Sequence, residues 1–115
     1  MGKNFQRWMD LLNEALEKMG RPQATPAMLK ERLENAGFVD VQIVTGKQPF
    51  GPWPKEKRMK TVGAMVMLNA DTGCEAYGMA PFTRILGMDK DEATKTCRDA
   101  FADIKNKNYH MYTPL

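Results

Sequence analysis

Residues 46–54, Gly-Lys-Gln-Pro-Phe-Gly-Pro-Trp-Pro, hold three prolines and two glycines in nine positions. Proline removes a backbone donor and fixes φ, and glycine loosens the chain, so this stretch reads as an irregular loop that divides the chain. Phe50 and Trp53 lie inside it. Rings of that size are expected to pin the loop to the body rather than face water.

The part before the loop carries one helical stripe, then a second, then an alternating run. Phe5, Trp8, Met9, Leu12, Leu16 and Met19 recur at three- and four-residue spacing, with Asn4 as the expected N-cap and Gly20 as the stop. Thr25-Pro26 is a cap followed by proline at the first helical position, opening a helix that carries Met28, Leu29, Leu33 and Ala36 and ends at Gly37. Residues 38–45, Phe-Val-Asp-Val-Gln-Ile-Val-Thr, alternate as a strand does, with Val39, Val41 and Ile43 on one face.

Beyond the loop the spacing predicts a helix over about 55–69, a break at Asp71-Thr72-Gly73 and another helix over about 74–86, disturbed by Pro81. Asp89 and Glu92 have capping-box spacing, and the final helix carries Ala93, Cys97, Ala100, Phe101 and Ile104. The tail, residues 108–115, is rich in aromatics. The expected fold is one domain over residues 1–115, mainly α (α+β), with one clear strand at 38–45. A lone strand needs a partner. The C-terminal tail or a second copy of the chain could supply it, and a homodimer is expected, partly because the stripe of the first helix is also left without a body to lean on.

Composition removes several function classes. Net charge is +3, and the basic residues are scattered apart from the cluster at 55–60, so no nucleic-acid footprint is expected. No apolar run reaches the length of a membrane span, and the first ten residues lack an apolar signal core, so no membrane partner and a cytoplasmic location are expected. Two cysteines, Cys74 and Cys97, with the single histidine, His110, make no metal-spaced set, so no metal site is expected; the thiols read as small buried groups.

Several phrases, in order along the chain, resemble the fungal LaeA-like class I S-adenosylmethionine methyltransferases. Residues 33–41, Leu-Glu-Asn-Ala-Gly-Phe-Val-Asp-Val, resemble that class's penultimate helix-to-strand turn. Residues 49–55, Pro-Phe-Gly-Pro-Trp-Pro-Lys, resemble the family's tryptophan-proline loop. Residues 80–87 resemble a helix end that closes on glycine, although Met88 stands where tryptophan is usual. Asp91-Glu92-Ala93 with Arg98-Asp99-Ala100, and His110-Met111-Tyr112, match later phrases. The resemblance implies the family's C-terminal, substrate-covering region. It also marks an absence: the glycine-rich turn and acidic partner that hold the methyl donor have no counterpart in these residues.

From the resemblance and the side-chain chemistry, His110 and Tyr112 are the candidate catalytic pair. Phe50, Trp53, Tyr77, Phe82 and Tyr109 are the candidate substrate-binding residues, around a bulky apolar small molecule and with no cofactor. The functional expectation is a SAM-independent enzyme of secondary metabolism, a cyclase, pericyclase or isomerase, since such reactions need a shaped cavity and a hydrogen-bond donor rather than a cofactor. The alternatives are a non-catalytic partner of a methyltransferase and one half of a split methyltransferase.

Overall fold

A computed structural model describes residues 2–114. Its elements are α1 (Lys3–Lys18), α2 (Pro26–Asn35), β1 (Lys47–Pro49), α3 (Lys57–Ala80), a π-helical turn (Pro81–Ile85), α4 (Lys90–Lys105) and β2 (Tyr112–Pro114). The architecture is mainly α with one small two-stranded sheet.

The body is α1, α3 and α4 packed together. Phe5 and Trp8 of α1 bury their rings against Phe82 of the π turn and against Ala70, Cys74, Cys97, Ala100 and Ile104. The buried face of α3 is made of Gly63, Ala70, Cys74 and Gly78. Small residues there let the neighbouring side chains approach the α3 backbone. The Trp8 indole N–H donates to the Cys74 carbonyl at 3.2 Å, and a Cβ on Gly78 would come within 3.0 Å of Trp8, Cys97 and Phe82 atoms. Within one chain α1 buries Phe5 and Trp8 of its stripe, while Met9, Leu12 and Leu16 stay half-buried and Met19 is 45% exposed, so the stripe has a body to lean on only towards its N-terminal end.

The N-terminus of α1 is not capped by Asn4. Gly2 is the N-cap residue, and the capping carboxylate comes from Asp103 of α4, which accepts from the backbone N–H of Asn4 at 2.8 Å and of Phe5 at 3.0 Å. Thr25 caps α2 as its sequence predicts, accepting from Met28 N at 3.2 Å, and Asp89 caps α4, accepting from Asp91 N at 3.1 Å. Glu92 pairs with Arg7 across the surface at 3.4 Å.

Two local expectations are corrected. Asp71-Thr72-Gly73 does not break a helix, because α3 runs through it. Ala70, Cys74 and Gly78 are buried against side chains of α1 and α4, while Asp71 and Thr72 are exposed. Pro81 is where regular α geometry ends; the chain winds into the π turn there, and Gly87, at φ 70°, closes it.

The second correction concerns the strand. Residues 38–46 form no strand: Asp40 sits at φ 55°, and Phe38, Val39 and Val44 are 62%, 83% and 88% exposed. The strand lies further on, inside the proline-rich segment, at Lys47–Pro49. It pairs antiparallel with the tail, Lys47 opposite Pro114, Gln48 opposite Thr113 and Pro49 opposite Tyr112. Pairing with the tail is one of the two expected outcomes, but the partner is Lys47–Pro49, and the Phe50 N–H continues the pairing by donating to the Met111 carbonyl at 2.9 Å. The edge on which the dimer expectation rested is therefore absent at 38–45.

The loop does pin itself down. Gly51, at φ 110°, donates its N–H to the Gly63 carbonyl at 3.0 Å. A Cβ on Gly63 would collide with the Gly51 carbonyl, so α3 needs glycine there. By contrast, α2 has no buried residue. It forms an arm with residues 36–45, and the radius of gyration is 16.2 Å, against about 13 Å for a compact 100-residue domain.

Candidate functional site

A concavity lies where the Trp53 loop meets the end of α4 and the start of β2. The side chains of Phe50 and Trp53 come from the loop, Met67 from α3, Ile104 and Lys105 from α4, and Lys107, Tyr109 and His110 from the connection to β2; the cleft is about 360 Å³.

Its tryptophan is held in place from two sides. Trp53 Nε1 donates to the Met111 carbonyl at 3.0 Å, and the His110 ring stacks on the indole with centroids 5.0 Å apart and planes 3° apart. The same Met111 carbonyl accepts from Phe50 N at 2.9 Å, and the Met111 side chain is buried. Along 110–113 exposure alternates: His110 out, Met111 in, Tyr112 out, Thr113 half-buried. That period of two is what an extended chain against a body produces, and it places the His110 ring beside Trp53.

Four of the seven residues singled out from sequence meet in this cleft: Phe50, Trp53, Tyr109 and His110. The other three lie elsewhere. Tyr77 is 71% exposed and borders a neighbouring hollow of about 280 Å³, which also draws on Phe5, Trp8 and Cys74 and shares Phe50 and Ile104 with the cleft. Phe82 is fully buried in the core, its ring edge-on to Trp8 at 6.4 Å. Tyr112 is 44% exposed under the Lys47 ammonium, 4.7 Å from its ring centre, and is not part of the cleft lining.

Sequence reasoning missed Lys105 and Lys107 as cleft residues. On a helix end they read as solvated charges. The available signal was their position, directly before the aromatic tail that folds back beside them.

The two thiols, both buried, line a small polar recess of about 170 Å³ between α3 and α4, with Asp71, Glu75 and Arg98 around it. Burial pushes the Cys74 thiol up to about 11, with Cys97 and Glu75 adding to the effect. Burial also raises Cys97, partly offset by the Trp8 indole N–H. Neither is a ready thiolate. Among the described residues, no three His, Cys, Asp or Glu side chains gather where they could hold a metal ion, and no helix is long and apolar enough to cross a membrane.

No family model and no solved structure matches the chain. Several fungal proteins do. It is 31% identical over 111 residues to the probable methyltransferase tdiE of Emericella nidulans, covering 96% of this chain and 35% of that protein. It is 30% identical over 115 positions to the secondary metabolism regulator laeA of Monascus pilosus, covering 99% and 31%. It is 34% identical over 86 residues to the methyltransferase pytC of Aspergillus terreus, covering 75% and 26%.

The chain is thus a relative of the fungal LaeA-like methyltransferases of secondary metabolism. It spans about a third of the length of the relatives it matches, in keeping with their C-terminal region.

The S-adenosylmethionine implied by that kinship would need a glycine-rich turn leading from a parallel strand into a helix. Among the described residues the strands are the antiparallel β1 and β2. The loop after β1 spends the Gly51 N–H on Gly63 instead of presenting it to a phosphate or carboxylate. These residues do not fit the donor.

Proposed function

We propose that this chain is the substrate-side part of a LaeA-like methyltransferase and works against a SAM-binding domain, carried on the same polypeptide or on a second one. The observation that carries this reading is the exposed arm. No residue of α2 is buried, Leu29 and Leu33 are about half exposed, and Phe38, Val39, Ile43 and Val44 continue the apolar surface. Apolar surface concentrated on one arm marks a contact face. The relatives are about three times as long as this chain, which supports a SAM-binding domain as what covers it. In that setting residues 38–45 would gain the sheet neighbour that their alternation calls for. A cytoplasmic location suits the two buried free thiols.

The test is co-expression of this chain with the remaining two thirds of the tdiE relative as a separate polypeptide. The two should co-purify, amide exchange should slow across 26–45, and S-adenosylmethionine should bind the pair but not the isolated chain. A second copy of the chain is the competing cover, and sedimentation would report it as twice 13.0 kDa. A 13.0 kDa species with unchanged exchange in the arm, with or without the partner, rejects the proposal.

The cleft favours a second reading, a SAM-independent cyclase, pericyclase or isomerase acting on a bulky apolar metabolite. A pinned indole beside the only histidine offers an apolar face and a proton donor or acceptor together. Tyr112 would need to move to join them. Ring closure conserves mass, so a mass-neutral product formed by the isolated chain and lost in His110→Ala would establish this reading. Absence of such a product from conjugated polyene substrates would count against it.

A further inference from the structure

We propose that the cleft beside Trp53 binds a flat, conjugated acid: a planar aromatic ring system bearing a carboxylate or phenolate. The assignment rests on the reading that this cleft holds a small molecule. It does not depend on where a SAM-binding domain comes from, because the cleft is built from this chain alone.

Shape argues for a planar ligand. The Trp53 ring cannot turn without losing its hydrogen bond to the Met111 carbonyl, 3.0 Å away, and it already carries His110 in a parallel stack. A ring system entering the cleft meets aromatic surface already oriented for stacking, so little ordering is left to do on binding. Met67 and Ile104 supply apolar contact below, and about 360 Å³ suits two or three fused rings.

Charge argues for an acid. The lining contains Lys105 and Lys107 and no Asp or Glu. One effect opposes this: α4 ends at Lys105, and the unpaired carbonyls of a helix C-terminus carry about half a negative charge. Two full ammonium charges outweigh it. The Lys105 ammonium lies 4.8 Å from the centre of the Phe101 ring, a residue of the neighbouring thiol recess, and would swing across to meet a bound acid. Neutral planar ligands would gain the stacking but not the charge pairing, and cationic ones would be repelled.

The experiment compares 2-naphthoate with its neutral isostere 2-naphthamide on the full chain, by calorimetry and by quenching of tryptophan emission. Trp8 borders the neighbouring hollow, so the quench is compared with that of Trp53→Phe, which should abolish it if Trp53 is the reporter. The acid should bind about fivefold more tightly at low ionic strength, the scale expected of two solvent-exposed charges. That preference should vanish in the Lys105→Gln/Lys107→Gln variant and near ~1 M salt, where screening acts within about 3 Å. Both lysines are exposed, and a melting curve confirms that the variant folds. Equal affinity for acid and amide overturns the acid assignment while leaving a small-molecule cleft in place. A preference that survives in the double variant overturns the role of the lysines. Failure of both probes to bind overturns the assignment together with the cleft reading beneath it.

Discussion

Asp103 and Phe5 are 98 residues apart in sequence, yet the Asp103 carboxylate accepts the Phe5 backbone N–H at 3.0 Å. The same oxygen accepts from Asn4 N at 2.8 Å. One side chain of α4 thus caps α1, and Gly2 must be glycine, since a Cβ there would run into that carboxylate. Replacing Asp103 by Ala leaves two helix-terminal donors without their acceptor. The expected loss is about 2 kcal/mol, with Asp103→Asn costing about 1 kcal/mol because an amide oxygen still accepts. Urea unfolding measures both. An alanine variant as stable as the parent would mean that water caps the helix equally well.

Two glycines of α3 should respond to alanine with opposite signs. At Gly78 a methyl group would press on Trp8, Cys97 and Phe82 at 2.9–3.0 Å, and overpacking of that kind costs about 1–3 kcal/mol. At Gly73 it would meet only the Tyr77 ring, at 3.9 Å. There the gain in helix propensity dominates, and Gly73→Ala should stabilise by up to about 1 kcal/mol. Thermal midpoints of the two variants, taken side by side, decide the matter. A destabilised Gly73→Ala would show that the helix needs flexibility at that point.

Stability should fall in alkaline solution through Cys74. Its folded thiol loses its proton near 11, against 9.0 for a free one. Between those values the unfolded chain releases a proton that the folded chain keeps, so the contribution is intact below 9.0 and is lost as pH rises towards 11. Cys97 acts in the same direction. Lysines and tyrosines also titrate in this range, so the informative quantity is the difference between parent and Cys74→Ala. The variant should show the shallower alkaline slope; parallel slopes would refute the burial argument.

At the acid end Glu56 should matter. Its carboxylate caps α3, accepting from Arg58 N at 3.0 Å and Met59 N at 2.8 Å. These backbone bonds hold its carboxyl below the ordinary 4.5. A depressed acid contributes above that value and ceases to contribute as pH falls through its folded pKa. The first turn of α3 should therefore fray on acidification, seen as a loss of protection of the Arg58 and Met59 amides relative to their intrinsic exchange at each pH. In Glu56→Gln the protection of those amides should no longer change over the same interval. Protection that is equally acid-sensitive in both proteins would assign the fraying to another group.

What the sequence determines by itself is what neighbours along the chain decide. The stripe of α1, the Thr25 and Asp89 caps, the discontinuity at Pro81 and the anchoring of Phe50 and Trp53 all follow from spacing over a few residues, and each is present in the fold. Of the site residues named from the sequence, Phe50, Trp53, Tyr109 and His110 meet in one cleft, whereas Tyr77, Phe82 and Tyr112 do not join it. Tertiary structure decides where distant segments compete. Residues 38–45 alternate like a strand, but a strand forms only against a partner, and β2 reaches 47–49 instead. Asp71-Thr72-Gly73 reads as a break, but burying Ala70 and Cys74 against α1 and α4 keeps the helix whole. The Trp53 bond to Met111 spans 58 residues and the Asp103 cap 98 or 99. No local pattern encodes such pairings, because their energy exists only once packing has brought the two ends together, and the same packing sets Lys105 and Lys107 beside Trp53.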